Sequence, residues 1–209
     1  YHYGAKAKRG QGDNSCTQFG VLGMWACANA GMEIPEGYWR VVERHWLETQ
    51  GSKGAWSYVK RPPDVMPKLR PGDAPLKNRP RDTMTTAGVN TLYVVLDKLH
   101  ARTESSYRWL KGVRPNPRTR EAVAQDFYAI NGGLKWMAQH GAAKSSNFYQ
   151  LFGLERLGVA SGLKFIGKTD WYAANVDRLV KHKWGGDPVV DGFYLIFLVY
   201  GRAPIVFNK

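Results

Sequence analysis

The chain has little of what marks several protein classes. It holds two cysteines, Cys16 and Cys27, and five histidines, His2, His45, His100, His140 and His182, each standing alone in the sequence. Cys16 and Cys27 lie on one expected helix, 11 residues apart. At ~1.5 Å per residue they are roughly 16 Å apart, and a disulfide needs Cα atoms within ~7 Å. Two free thiols are expected, which leaves the compartment open. The histidines show no ligand spacing, so no metal and no cofactor is expected. The longest apolar run, Phe193 to Tyr200, is too short to span a bilayer. No signal peptide is visible. The chain opens on Tyr1 and not Met, which keeps an exported protein with its leader removed among the readings. A soluble or peripheral protein of unassigned compartment is expected. There is no glycine-rich phosphate loop, no nucleophile elbow and no Cys–His signature. Acidic residues are scarce against basic ones: 17 Asp and Glu face 30 Lys and Arg, a net charge of +13. Such a balance suits an anionic partner, whether lipid headgroup, nucleic acid or acidic subunit.

At 209 residues the chain is long enough for one domain with a real core, 1–209. Its most organised stretch runs from Asp13 to Trp56. A helix rich in small and apolar residues is expected from about Ser15 to Asn29, ended by Gly31. A second, amphipathic helix starts near Pro35 and carries Trp39, Val42 and Trp46, with Glu43, Arg44 and Glu48 between them. It closes on Gln50-Gly51-Ser52-Lys53-Gly54-Ala55-Trp56.

Residues 57–82 hold six of the 11 prolines. They also hold Lys60, Arg61, Lys68, Arg70, Lys77, Arg79 and Arg81, against Asp64 and Asp73 before α-helical patterning resumes. That proline density excludes a helix or a central strand. An extended basic insertion is expected, with those seven residues as partner-binding candidates.

Thr83 to His100 reads as a helix with a polar start and an apolar face of Leu92, Val95, Leu96 and Leu99. Asn116 and Pro117 open another, about Arg118 to His140, which Gly132-Gly133 is expected to kink or split. Ser145, Ser146 and Asn147 open a third, ended by Gly158 and Gly162. Thr169 or Asp170 caps a helix through Trp171, Tyr172, Val176, Leu179 and Val180. Trp184-Gly185-Gly186-Asp187 precedes a last helix from about Val190 to Tyr200. The pattern of apolar helix, amphipathic helix and Gly/Trp turn begins again near 14, 84, 145 and 190, as in repeat architectures.

The spacing of Gln50, Gly54 and Trp56 resembles the QW motif of the squalene-cyclase and prenyltransferase repeat superfamily, and the chain resembles a degenerate bacterial-type member or fragment of it. The resemblance implies an all-α fold: an incomplete α/α toroid of about three to four helical hairpins, interrupted by the Pro-rich insertion. It implies that Gln50 caps helix-end backbone groups, that Trp56 covers it and that Gly54 permits the turn. The catalytic stretches of the superfamily are altered. Where cyclases carry Asp-x-Asp-Asp, this chain reads Gln11-Gly12-Asp13-Asn14, leaving Asp13 as the only candidate proton donor; an N-cap is the plainer role for it. Val190-Asp191-Gly192-Phe193-Tyr194 resembles a zinc-binding stretch of protein prenyltransferases, but Phe193 stands where the Cys ligand belongs and cannot bind zinc. Glu33, Glu36, Asp97, Asp126, Glu155 and Asp187 are available carboxylates that the sequence alone does not pair. Trp25, Tyr93, Phe148, Phe152, Tyr194 and Phe197 are candidates for lining an apolar cavity, with packed core as the plain alternative. The expectation is a non-catalytic binding or structural subunit that holds a protein or membrane-associated partner. An isoprenoid-handling, proton-initiated enzyme and a basic nucleic-acid binder are the alternatives; the basic stretch lacks the interleaved aromatics of the latter.

Overall fold

A computed structural model describes residues 13–59, 79–100 and 117–201. Most of the expected basic insertion, Lys60 through Lys77, lies outside the described residues, as do 1–12, 101–116 and 202–209. The described residues are mainly helical. Their α-helices are α1 (Asn14–Asn29), α2 (Glu36–Thr49), α3 (Asp82–Val95), α4 (Pro117–Gln139), α5 (Phe148–Ser161), α6 (Ala173–Val180) and α7 (Pro188–Tyr200). A π-helical turn, Leu96–His100, continues α3. The strands β1 (Phe165–Ile166) and β2 (Thr169–Asp170) form a minute antiparallel hairpin around Gly167.

The helices alternate between two layers. In one, α1 packs on α3, α3 on α5 and α5 on α7; in the other, α2 packs on α4, and both cover α3. Helix α3 is therefore enclosed, and every residue from Thr83 to Leu92 is buried. Its small and polar composition makes this workable. Thr86 and Thr91 return their hydroxyls to backbone carbonyls one turn earlier, at Asp82 (2.9 Å) and Ala87 (2.8 Å). Asn90 Nδ2 donates to the Gly153 carbonyl of α5 at 3.0 Å. Helix α1 also reaches α5, where the Tyr149 hydroxyl donates to Gln18 Oε1 at 2.7 Å. The core gathers Trp46, Trp56, Met84, Leu92, Ile130, Met137, Leu151, Leu154 and Phe197 from both layers.

The turn 50–56 is keyed into this stack. Gln50 is the C-cap of α2, and its Nε2 donates to the carbonyls of Gly54 (2.9 Å) and Ala129 (2.8 Å), so it ties its own turn to α4. Trp56 is fully buried; its indole N–H donates to the Trp46 carbonyl at 2.8 Å and its ring meets that of Trp46 edge-on at 6.0 Å. Gly54 has φ +86 and its Cα faces Gly132. A Cβ at Gly88 would stand 2.6 Å from the Trp56 ring, and one at Gly133 would meet Val89 at 2.5 Å.

Several expectations change. Gly132 and Gly133 do not split their helix: α4 runs unbroken from Pro117 to Gln139, and the two glycines admit the turn and the indole. Gly158 does not end α5, which continues to Ser161 and stops at Gly162 in the left-handed conformation, φ +68. A Cβ at Gly158 would fall 1.9 Å from Trp171, so this glycine serves packing. Thr169 and Asp170 pair as a strand, and α6 starts at Ala173, although Asp170 Oδ1 still accepts from the Ala173 N–H at 2.9 Å. Cys16 and Cys27 are both free, as helix geometry requires.

Glycines at close contacts and in open space should respond oppositely. Gly88→Ala should cost about 1–3 kcal/mol through overpacking against Trp56. Gly23→Ala, inside α1 with nothing within 4 Å, should gain roughly 0.5–1 kcal/mol. Urea unfolding of the two variants checks both; equal effects would contradict the close seating of Trp56.

Candidate functional site

Asp13 is an N-cap. Its Oδ1 accepts the backbone N–H groups of Ser15 (2.8 Å) and Cys16 (3.2 Å), and the Ser15 hydroxyl as well. The neighbouring Asn14 is buried and fixes the same corner, donating to the Ser57 carbonyl at 2.8 Å and meeting His45 Nε2 at 2.8 Å. An Asp in this setting satisfies helix-end donors. Asp187 caps α7 in the same manner, accepting from Val189 at 2.8 Å.

Asp191 is also occupied. Its Oδ2 accepts the Gly185 N–H at 2.7 Å and its Oδ1 meets His182 Nε2 at 2.8 Å. The Gly185 hydrogen bond, then that of His182, holds its carboxyl below the usual range. Phe193 lies between Phe148 (5.4 Å) and Phe152 (5.1 Å) and offers no ligand atom. The residues here do not fit the zinc set that the prenyltransferase resemblance brings to mind.

Of the expected apolar-cavity residues, Phe152, Tyr194 and Phe197 are buried in the packing, while Trp25, Tyr93 and Phe148 are partly exposed. Phe19, 41% exposed, continues the aromatic row: it stacks on Phe152 at 5.9 Å and meets Tyr149 at 5.7 Å. The row thus links α1, α5 and α7. Trp25 donates its indole N–H to Asp97 at 2.9 Å. Tyr194 also borders an open cleft of about 580 Å³ with Arg178, Lys181, His182, Lys183 and Asp177. Arg79 and Arg81 are exposed; the other five basic candidates lie outside the described residues.

The fold assembles one group that spacing does not reveal. Glu43 on α2, His100 at the end of the π turn and Asp126 on α4 converge, with one ligand-type atom from each within 4.8 Å of the others. His100 Nε2 stands 2.9 Å from Glu43 Oε1 and 3.5 Å from Asp126 Oδ2. Asp126 is 0% exposed, and neither of its oxygens has a hydrogen-bond partner. Burial pushes its carboxyl up to about 7; the Glu43 charge adds to the rise and the His100 charge opposes it. Protonated, Asp126 can donate to Glu43; ionised, it faces His100 Nε2 at 3.5 Å, in low-dielectric surroundings that penalise its charge. The signal was present in the stripe pattern. Asp126 falls among Val123, Ala129 and Ile130 on the buried side of α4, and Glu43 among Trp39, Val42 and Trp46. An acid on an apolar stripe is the sequence mark of a paired or ligating group.

Glu155 is a second buried acid, on α5, among Leu151, Leu154 and Gly158. Burial raises its carboxyl to about 7, with Arg156 opposing. Its folded value lies above its unfolded one, so the protonated form favours the fold. That contribution is complete below about pH 4.5 and fades as pH rises through about 7. Glu155→Gln should therefore remove a loss of stability on the order of 2–3 kcal/mol between those limits. Denaturant titrations at pH 5 and pH 8 check this; a wild-type slope retained in the variant would contradict it. No family model, curated protein or solved structure matches the chain.

Proposed function

We propose that the chain is a non-catalytic module of the α/α-toroid repeat kind, which holds an acidic or membrane-associated partner through its basic insertion. The observation that carries this reading is the environment of Asp13. The one acid that the cyclase resemblance offers as proton donor accepts two backbone N–H groups and a hydroxyl at the start of α1. Those bonds commit its Oδ1 to the helix-end donors of α1, the work of an N-cap. The alternation of helices between two layers supports the toroid part of the reading. Exposed Arg79 and Arg81 at the entry to α3, with a net charge of +13, support the partner part. No helix among the described residues is long and apolar enough to cross a membrane.

The aromatic row Phe19–Phe152–Phe193 favours a second reading, an isoprenoid-handling protein that seats an apolar chain along α1, α5 and α7. One experiment separates the two. Native mass spectrometry of the protein purified gently from its source should give a complex with a stoichiometric second chain. Replacing Lys60, Arg61, Lys68, Arg70, Lys77, Arg79 and Arg81 by Gln should release it. A partner retained by that variant, or a bare 23.5 kDa chain in the wild type, would overturn the first reading. Added mass that extracts into organic solvent would favour the second, as would polyprene turnover abolished by Asp13→Asn.

A further inference from the structure

We propose that Glu43, His100 and Asp126 form a binding site for one divalent transition-metal ion of the Zn²⁺ class, which pins α2, the π turn and α4 together. Two carboxylates and one imidazole are a recognised donor set for such ions.

Geometry supports it. Metal bonds of about 2.0–2.2 Å put tetrahedral ligands roughly 3.3–3.5 Å apart. His100 Nε2 lies 2.9 Å from one carboxylate oxygen and 3.5 Å from the other, so sub-ångström side-chain adjustment admits an ion. The three residues come from three separate elements, held in place by the core around α3. The π turn matters here. Its extra residue per turn advances His100 relative to a regular continuation of α3, and such turns recur at functional sites.

Charge supports it as well. The group offers two carboxylates in a buried spot with a single imidazole beside them. A divalent cation with a neutral imidazole balances the group to zero. It also gives the Asp126 oxygens, fully buried and without a hydrogen-bond partner, the partner they lack. Glu43, whose side chain is 13% exposed against 6% for His100, is the member most open to solvent. An ion can enter past it, and the fourth position is left to water.

The site is independent of the partner-binding reading and of the altered zinc stretch at Asp191. It lies on different helices, with different ligands.

The test uses the whole chain, stripped with a chelator, dialysed, and titrated with Zn²⁺ alone. The expected result is one zinc per chain after desalting and a rise in Tm. Asp126→Asn and His100→Gln should each weaken uptake by about 10-fold or more, while Glu155→Gln, a buried acid elsewhere, should leave it unchanged. Should the ligand variants fail to fold, X-ray absorption at the zinc edge of the wild type decides. One imidazole with oxygen ligands supports the site. Sulfur, or more than one imidazole, places zinc at other residues and overturns it. Failure to retain a stoichiometric ion, or unchanged uptake by folded Asp126→Asn, overturns it too.

Discussion

The amide of Gln50 is the joint on which the layer of α2 and α4 depends. It spans from the Gly54 carbonyl, inside its own turn, to the Ala129 carbonyl of α4, and so converts a loop into a tie between α2 and α4. Trp56 follows it into the stack and fills the space that Gly88 and Gly133 leave open. Neither half works alone. An indole of this size brings a large apolar gain on burial, but its N–H must find an acceptor, and the Trp46 carbonyl supplies one. The same solution recurs with other letters at Trp171, which seats against Gly158 and donates to the Leu163 carbonyl at 2.6 Å. A tryptophan that docks on a glycine and returns its N–H to a backbone carbonyl is thus used twice.

Much of this was legible from the sequence because it is local. Asp13 reads as an N-cap and is one, since the cap needs only the next three residues; Asn147, in the polar opening 145–147, caps α5, and Asp187, read as the end of a Gly/Trp turn, caps α7. The misreadings share one cause. Gly132, Gly133 and Gly158 read as helix breakers in the sequence, and each stays helical: Gly132 seats the backbone of the Gly54 turn, and Gly133 and Gly158 leave room for distant side chains. Helix propensity is a weak term against the burial of an indole. The β hairpin at 165–170 escaped for a related reason: two-residue strands carry no period to detect.

The acidic cluster was legible in one dimension only. The stripe pattern places Asp126 and Glu43 on apolar faces, which is visible along the chain. Their convergence with His100 depends on how α2 and α4 pack over α3 and on the π turn that ends it, neither of which the spacing of single histidines encodes. Among the described residues no Lys or Arg is buried, while the acids Asp126 and Glu155 are interior exceptions whose carboxyls burial pushes up to about 7.

The enclosure of α3 has a dynamic consequence. A helix touched by α1, α2, α4 and α5 cannot open alone, because every route to solvent parts at least two neighbours. Its amide protons should exchange only when the whole assembly comes apart. Helix α7, which leaves Val189, Leu195, Val199 and Tyr200 more than half exposed, has no such protection. Opening events of low free energy therefore belong to that end of the stack, and the molecule has a slow centre and a fast margin.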